Sequence, residues 1–273
     1  LGIGCSDPYG ASNNMGPYLG SRRLVDPFTG AYDGSVAQQE LESFQPASPI
    51  DHGLQVKEAD LEVPGARYFM EGHYVAGDDA RAGNGNNNVS HVEVKISRDA
   101  SGDLVIDIVN PGPRPTQREL PAIRAWPYAE FAVHDGAPAD GRIMVAHNVI
   151  RLSRTNYRYE YAVYNMNSAR GVATFSVPAG AAEPANIGMS AVFSHGEPWS
   201  NDPWTSKVEG GRVTWSTQGF GENQNANAIR WGTTYNFWFE STSAPASGEA
   251  RLGYFKPGGG NAPVNVNVQS PKS

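Results

Sequence analysis

The nine residues Tyr157-Arg-Tyr-Glu-Tyr-Ala-Val-Tyr-Asn165 decide the fold class. Successive side chains of an extended strand point to opposite faces, so Tyr157, Tyr159, Tyr161 and Val163 share one face and Arg158, Glu160 and Ala162 the other. Bulky aromatic and β-branched residues at period two, with charges between them, make a half-buried strand rather than a helix. Residues 234–239 repeat the pattern with Tyr235, Phe237 and Phe239. Working outward, alternation predicts further strands over 92–96, 104–109, 143–152, 173–177, 187–193, 212–217, 229–240 and 250–255. The first two flank a Gly/Asp/Ser loop at 97–103 and read as a hairpin. No window keeps an i, i+3, i+4, i+7 apolar stripe for three turns, and 78–82 offers at most one short helical turn. Short strands separated by Gly/Pro turns, without helices between them, specify an all-β antiparallel β-sandwich. Its expected form is Ig-like or jelly-roll-like, with few or no helices.

Composition is consistent with this and excludes several function classes. A chain of 273 residues, 39% apolar and 10% aromatic, is long enough to bury one large core or two modest ones. Net charge is −7, and only five of the 21 basic residues are lysines, so no basic face is available for nucleic acid. No apolar run approaches the roughly 18 residues of a transmembrane segment. Residues 1–50 are rich in turn pairs (Asp7-Pro8, Gly16-Pro17, Asp26-Pro27, Asp33-Gly34) and form an irregular N-terminal arm whose aromatics pack on another surface. A first β region is expected over 51–120, the main sandwich region over 121–257, and an extended tail over 258–273, where Val/Asn alternation also suits a last edge strand. Pro111, Pro113, Pro115 and Pro121 mark a linker or crossover near 112–121. The residues leave open whether it divides two domains or two halves of one, so that 51–257 forms a single domain.

Candidate chemistry is dispersed. His73, His147 and His195 would form a copper or zinc site if separate strands brought them together, with Met144 or Met189 as a soft extra ligand. The competing expectation is ordinary hydrogen-bonded histidines. Asp78, Asp79 and Asn84, in a Gly- and Asn-rich loop, offer hard oxygen ligands for Ca²⁺. Alternatively that loop simply supports turns, with Asp78 capping the short helical turn. Ser194, His195 and Glu197 are too close in sequence to form a triad, and the chain has no nucleophile-elbow, phosphate-loop or dinucleotide motif. No catalytic residue is therefore assigned. Trp199 and Trp204, in a Pro-flanked loop, suit glycan stacking, a protein contact, or a lid on the core.

Five stretches carry a resemblance: Gly4-Cys-Ser-Asp-Pro-Tyr9; Glu71-Gly-His-Tyr-Val-Ala-Gly-Asp78 and its continuation to Asn88; Tyr159-Glu-Tyr-Ala-Val-Tyr-Asn165-Met-Asn167-Ser; Asn225-Ala-Asn-Ala-Ile-Arg-Trp231-Gly-Thr; and Leu252-Gly-Tyr-Phe-Lys-Pro257-Gly. Together the chain resembles a family of secreted proteins of environmental bacteria. Its C-terminal half is similar to Ig-like sandwich modules of bacterial surface proteins. The resemblance implies an extracellular or cell-surface location and carries no activity with it. It also implies an export signal and a cysteine-bearing region upstream of Leu1, which makes this chain a processed product or fragment. Cys5, the lone cysteine, is then expected to bond to that upstream segment or to a second polypeptide. The expected function is that of a structural or interaction protein, self-associating through the N-terminal arm and edge strands. The alternatives are a secreted copper or zinc enzyme and a carbohydrate-binding module.

Overall fold

A computed structural model of the chain describes residues 21–32, 34–35, 54–110, 112, 115–136, 138–258 and 263–273. Cys5 and most of the N-terminal arm lie outside these residues. The described chain is all-β, built from three antiparallel sheets. In sequence order the strands are β1 (Tyr68–His73), β2 (Val89–Arg98), β3 (Leu104–Ile108), β4 (Glu130–Asp135), β5 (Arg142–Arg151), β6 (Tyr157–Asn165), β7 (Val172–Pro178), β8 (Ala185–Ser190), β9 (Thr205–Glu209), β10 (Arg212–Ser216), β11 (Thr233–Ser241), β12 (Pro245–Tyr254) and β13 (Val264–Pro271). Two five-stranded sheets, ordered β13-β12-β7-β10-β9 and β4-β5-β6-β11-β8, form the sandwich. A three-stranded sheet, β1-β2-β3, lies beside it.

The tyrosine-rich stretch is β6, at the centre of its sheet between β5 and β11. Its alternation is realised as read: Tyr159, Tyr161 and Val163 face the opposing sheet and are buried. Tyrosine can occupy a core only if its hydroxyl finds a partner. Tyr159 Oη donates to the Ser243 carbonyl at 2.7 Å, and Tyr161 Oη to the Gln269 carbonyl at 2.8 Å. Around them Phe175, Trp215, Phe237 and Phe239 stack or tilt at centroid separations of 4.9–6.3 Å. On the other face of the same sheet, Tyr164 packs with Met144, Met166 and Val89 beneath the small sheet and donates to Glu71 Oε1 at 2.7 Å. One strand therefore serves two apolar layers.

Three strands, β1, β4 and β9, escaped the alternation reading. β1 contains Gly72, which interrupts the apolar pattern, and β4 is Glu-Phe-Ala-Val-His-Asp. β9, an edge strand exposed at all five positions, has no buried face to advertise. β13 is the Val/Asn alternation of the C-terminal stretch; it pairs with β12, with Val264, Val266 and Val268 buried and the asparagines exposed. It also packs against β4 and β5, where Gln269 main-chain N–H donates to His147 Nδ1 at 3.3 Å. It thereby closes one side of the sandwich. The helical turn comes one residue earlier than expected, at Gly77–Arg81, and Ala76, not Asp78, occupies its N-cap. Asp78 instead lies in the first turn and makes no capping hydrogen bond.

Asn165 ends β6 in a buried corner. Its Oδ1 accepts the Ser168 main-chain N–H, and its Nδ2 donates to the carbonyls of Ser168 and Ile229. Asp140 receives the Ser168 hydroxyl and the Ala169 N–H. Asn167 accepts from Arg142 N–H and donates to Asn86 Oδ1. The YNMNS stretch is thus a polar knot joining β6, β7 and the loop before β2, each group satisfied inside the core.

Candidate functional site

The three histidines do not come together. His73 ends β1, and His195 lies in the β8–β9 connection, where Nε2 accepts the Gln55 main-chain N–H at 3.2 Å. His147 is buried on β5 under β13. Among the described residues no three His, Cys, Asp or Glu side chains are placed to share a metal ion. A copper or zinc centre from His73, His147 and His195 is therefore not assembled, because each ring is committed to a different layer or loop. Met144 and Met189 belong to different apolar clusters. In the proposed calcium loop, the Asp79 carboxylate accepts Asn88 Nδ2, and the Asp79 carbonyl accepts the Asn84 N–H. Asp78 and Asn84 are exposed. These are contacts of the kind the turn-supporting alternative expects.

The two tryptophans separate. Trp204 is 7% exposed, packs on Tyr235 and Phe237, and donates Nε1 to the Asn227 carbonyl. It closes the core, as in the lid alternative. Trp199 is half-buried, with the Arg22 guanidinium 5.2 Å and the Arg230 guanidinium 5.0 Å from its ring centroid. It lines a groove of about 710 Å³.

This groove is built from segments far apart in sequence. One wall is a tight hairpin at 21–32: Asp26 Oδ1 accepts the Phe28 and Thr29 N–H groups, and Val25 bridges Tyr32. Gly30 is required there, because at φ +70° against the main chain of Ala76 and Gly77 a Cβ would collide. The other wall is the 217–232 connection, whose residues 226–230 are buried. A reciprocal pair fastens the walls, with Arg22 Nη1 donating to the Trp231 carbonyl at 3.0 Å and Trp231 Nε1 to the Arg22 carbonyl at 3.2 Å. Lys256 and Phe220 complete the lining.

Charge in the groove is unbalanced. Among the described residues Arg22, Arg23, Arg230 and Lys256 line it, with Asp26 the lining carboxylate. Glu197 sits at its margin, where its carboxylate accepts the Arg22 main-chain N–H; burial holds its pKa above the usual carboxylate range. Arg230 is 9% exposed and sits 4.4 Å over the Phe255 ring. Its Nη2 donates to the Gln224 and Ala226 carbonyls, while Nε has no hydrogen-bond partner among the described residues. Burial pushes its pKa down to about 10, and the nearby Arg22 charge adds to the fall. Burial likewise lowers Arg22 and Lys256. Glu197 favours the charged form of both Arg22 and Arg230, and guanidiniums otherwise held by carbonyls and aromatic rings can still accept an anion.

Trp199 and Trp231 stand inside stretches that the sequence already singles out. Lys256 also stands inside one of them, but Arg22 carries no local signal: 209 residues separate it from its partner Trp231, and only the fold joins them. No protein-family model, curated protein or solved structure matches the chain.

Proposed function

We propose that the protein is an extracellular interaction module, a β-sandwich that holds a ligand in the Arg22–Trp199–Arg230 groove. One observation carries this reading: two largely buried guanidiniums, oriented by main-chain carbonyls and lying over Trp199, line a groove of about 710 Å³. Burying two positive charges against the single neighbouring carboxylate of Glu197 is unfavourable, and a ligand anion would relieve that cost. The likeness to secreted bacterial proteins supports placing the module outside the cell. Intrinsic tryptophan fluorescence during titration with saccharides, organic acids, amino acids and nucleotides tests the groove. At least one class should give a saturable change that Trp199→Ala abolishes; a flat response to every class sinks the reading.

Self-association is a second reading, favoured by the outer face of the small sheet. Met70, Ile106 and Ile108 are 55%, 52% and 42% exposed. Register places Ile106 and Ile108 opposite Ile96 and Val94, with Met70 across from Val92, so they fall on one face. Apolar side chains clustered in this way mark contact surfaces more often than solvent-facing ones.

A further inference from the structure

We infer that the groove takes an acidic saccharide, a sugar chain bearing carboxylates. This deepens the binding reading above and rests on it. The charge sign comes first. In a chain of net charge −7, Arg22, Arg230 and Lys256 converge on one trough whose lining, among the described residues, holds the carboxylate of Asp26, with Glu197 at its margin, so the trough favours anions against the field of the whole molecule. The guanidinium fork is planar and matches a planar carboxylate better than a point cation does.

The remainder of the lining indicates what the carboxylate is attached to. Tyr32 is 51% exposed at the rim, beside half-buried Trp199 and Trp231, which gives aromatic surfaces for the apolar faces of sugar rings. Gln224 and Asn225, both exposed in the same wall, each carry a donor and an acceptor suited to hydroxyls. A phosphate ligand would be expected to use a helix N-terminus or a glycine-rich nest of N–H groups. Among the described residues the helical piece in the wall is the three-residue turn Arg22–Leu24. An anion in the trough also relieves the cost of the buried cations, so ligand and fold stabilise each other.

The test is fluorescence titration of the whole chain with trigalacturonate, its trimethyl ester, a neutral maltotriose and inorganic phosphate. The acid should bind and the ester should bind at least about tenfold more weakly, equivalent to the loss of one charge-assisted contact. Raising the salt should weaken the acid selectively. Arg230 also ties the 224–230 turn, so the exposed residues carry the mutational arm. Lys256→Gln should weaken the acid and leave the ester unchanged, and Tyr32→Ala should weaken both. Equal binding of acid, ester and maltotriose, still lost on Tyr32→Ala, would overturn the acidic class while leaving the groove a binding site. Tighter binding of phosphate than of the acid would overturn the saccharide. No response to any of the four probes overturns the inference, and the wider titration with Trp199→Ala then decides whether the groove binds anything.

Discussion

His147 shows how much a side chain's neighbours decide. It is 4% exposed, beneath β13, and its Nδ1 accepts the Gln269 N–H. Glu130, opposite it on β4, favours the charged ring, but burial outweighs this and the pKa falls below the ordinary imidazole value of 6.5. A depressed folded-state pKa means that stability is fully present above the unfolded value and is lost as pH falls through the folded one. The urea midpoint should therefore drop between about pH 7 and pH 5, with a shallower slope in His147→Gln. An equal slope in the variant would assign the effect to other groups. From sequence alone His147 could only be one of six histidines, because its role depends on a strand more than a hundred residues away. The Trp199/Trp204 pair illustrates the same limit: identical chemistry five residues apart, one ring sealed in the core and the other held in a cationic groove.

At the scale of elements, what was legible follows burial. β6 and β11 each turn a row of aromatics at alternate positions onto the sandwich core, and that two-residue period is visible directly. β9 has no buried face and β1 lacks a clean alternation, so neither leaves a comparable trace. The Asn165 corner was visible as a motif but not as a structure, since its partners lie at Ser168 and Ile229. Asn165→Ala removes three hydrogen bonds at a fully buried residue and strands main-chain groups without water. Urea unfolding should register a loss of about 1–3 kcal/mol. A smaller loss would mean that water or a shifted loop replaces the amide. The groove was the least legible element, because the hairpin at 21–32 shows its role only once it meets residues 199–231 and 256.

For the molecule as a whole, the expectation of an all-β sandwich holds, and the small sheet offers a further surface through which we propose that copies meet. Sedimentation velocity should show association weakened in Ile106→Lys and Ile108→Lys, with unchanged circular dichroism; a monomer at all concentrations would remove that surface from consideration. The final consequence lies in β13. It joins β12 to the opposite sheet through β4 and β5, and its contact with Tyr161 spans 108 residues of chain. Local hairpins such as β5–β6 can close early, but this closure must wait for everything between, which sets a slow, late step in folding. Until then the outer edge of β12 is an unpaired template, the state in which a β-rich chain is most exposed to wrong partners. The interval before β13 docks is when this chain has most need of a chaperone.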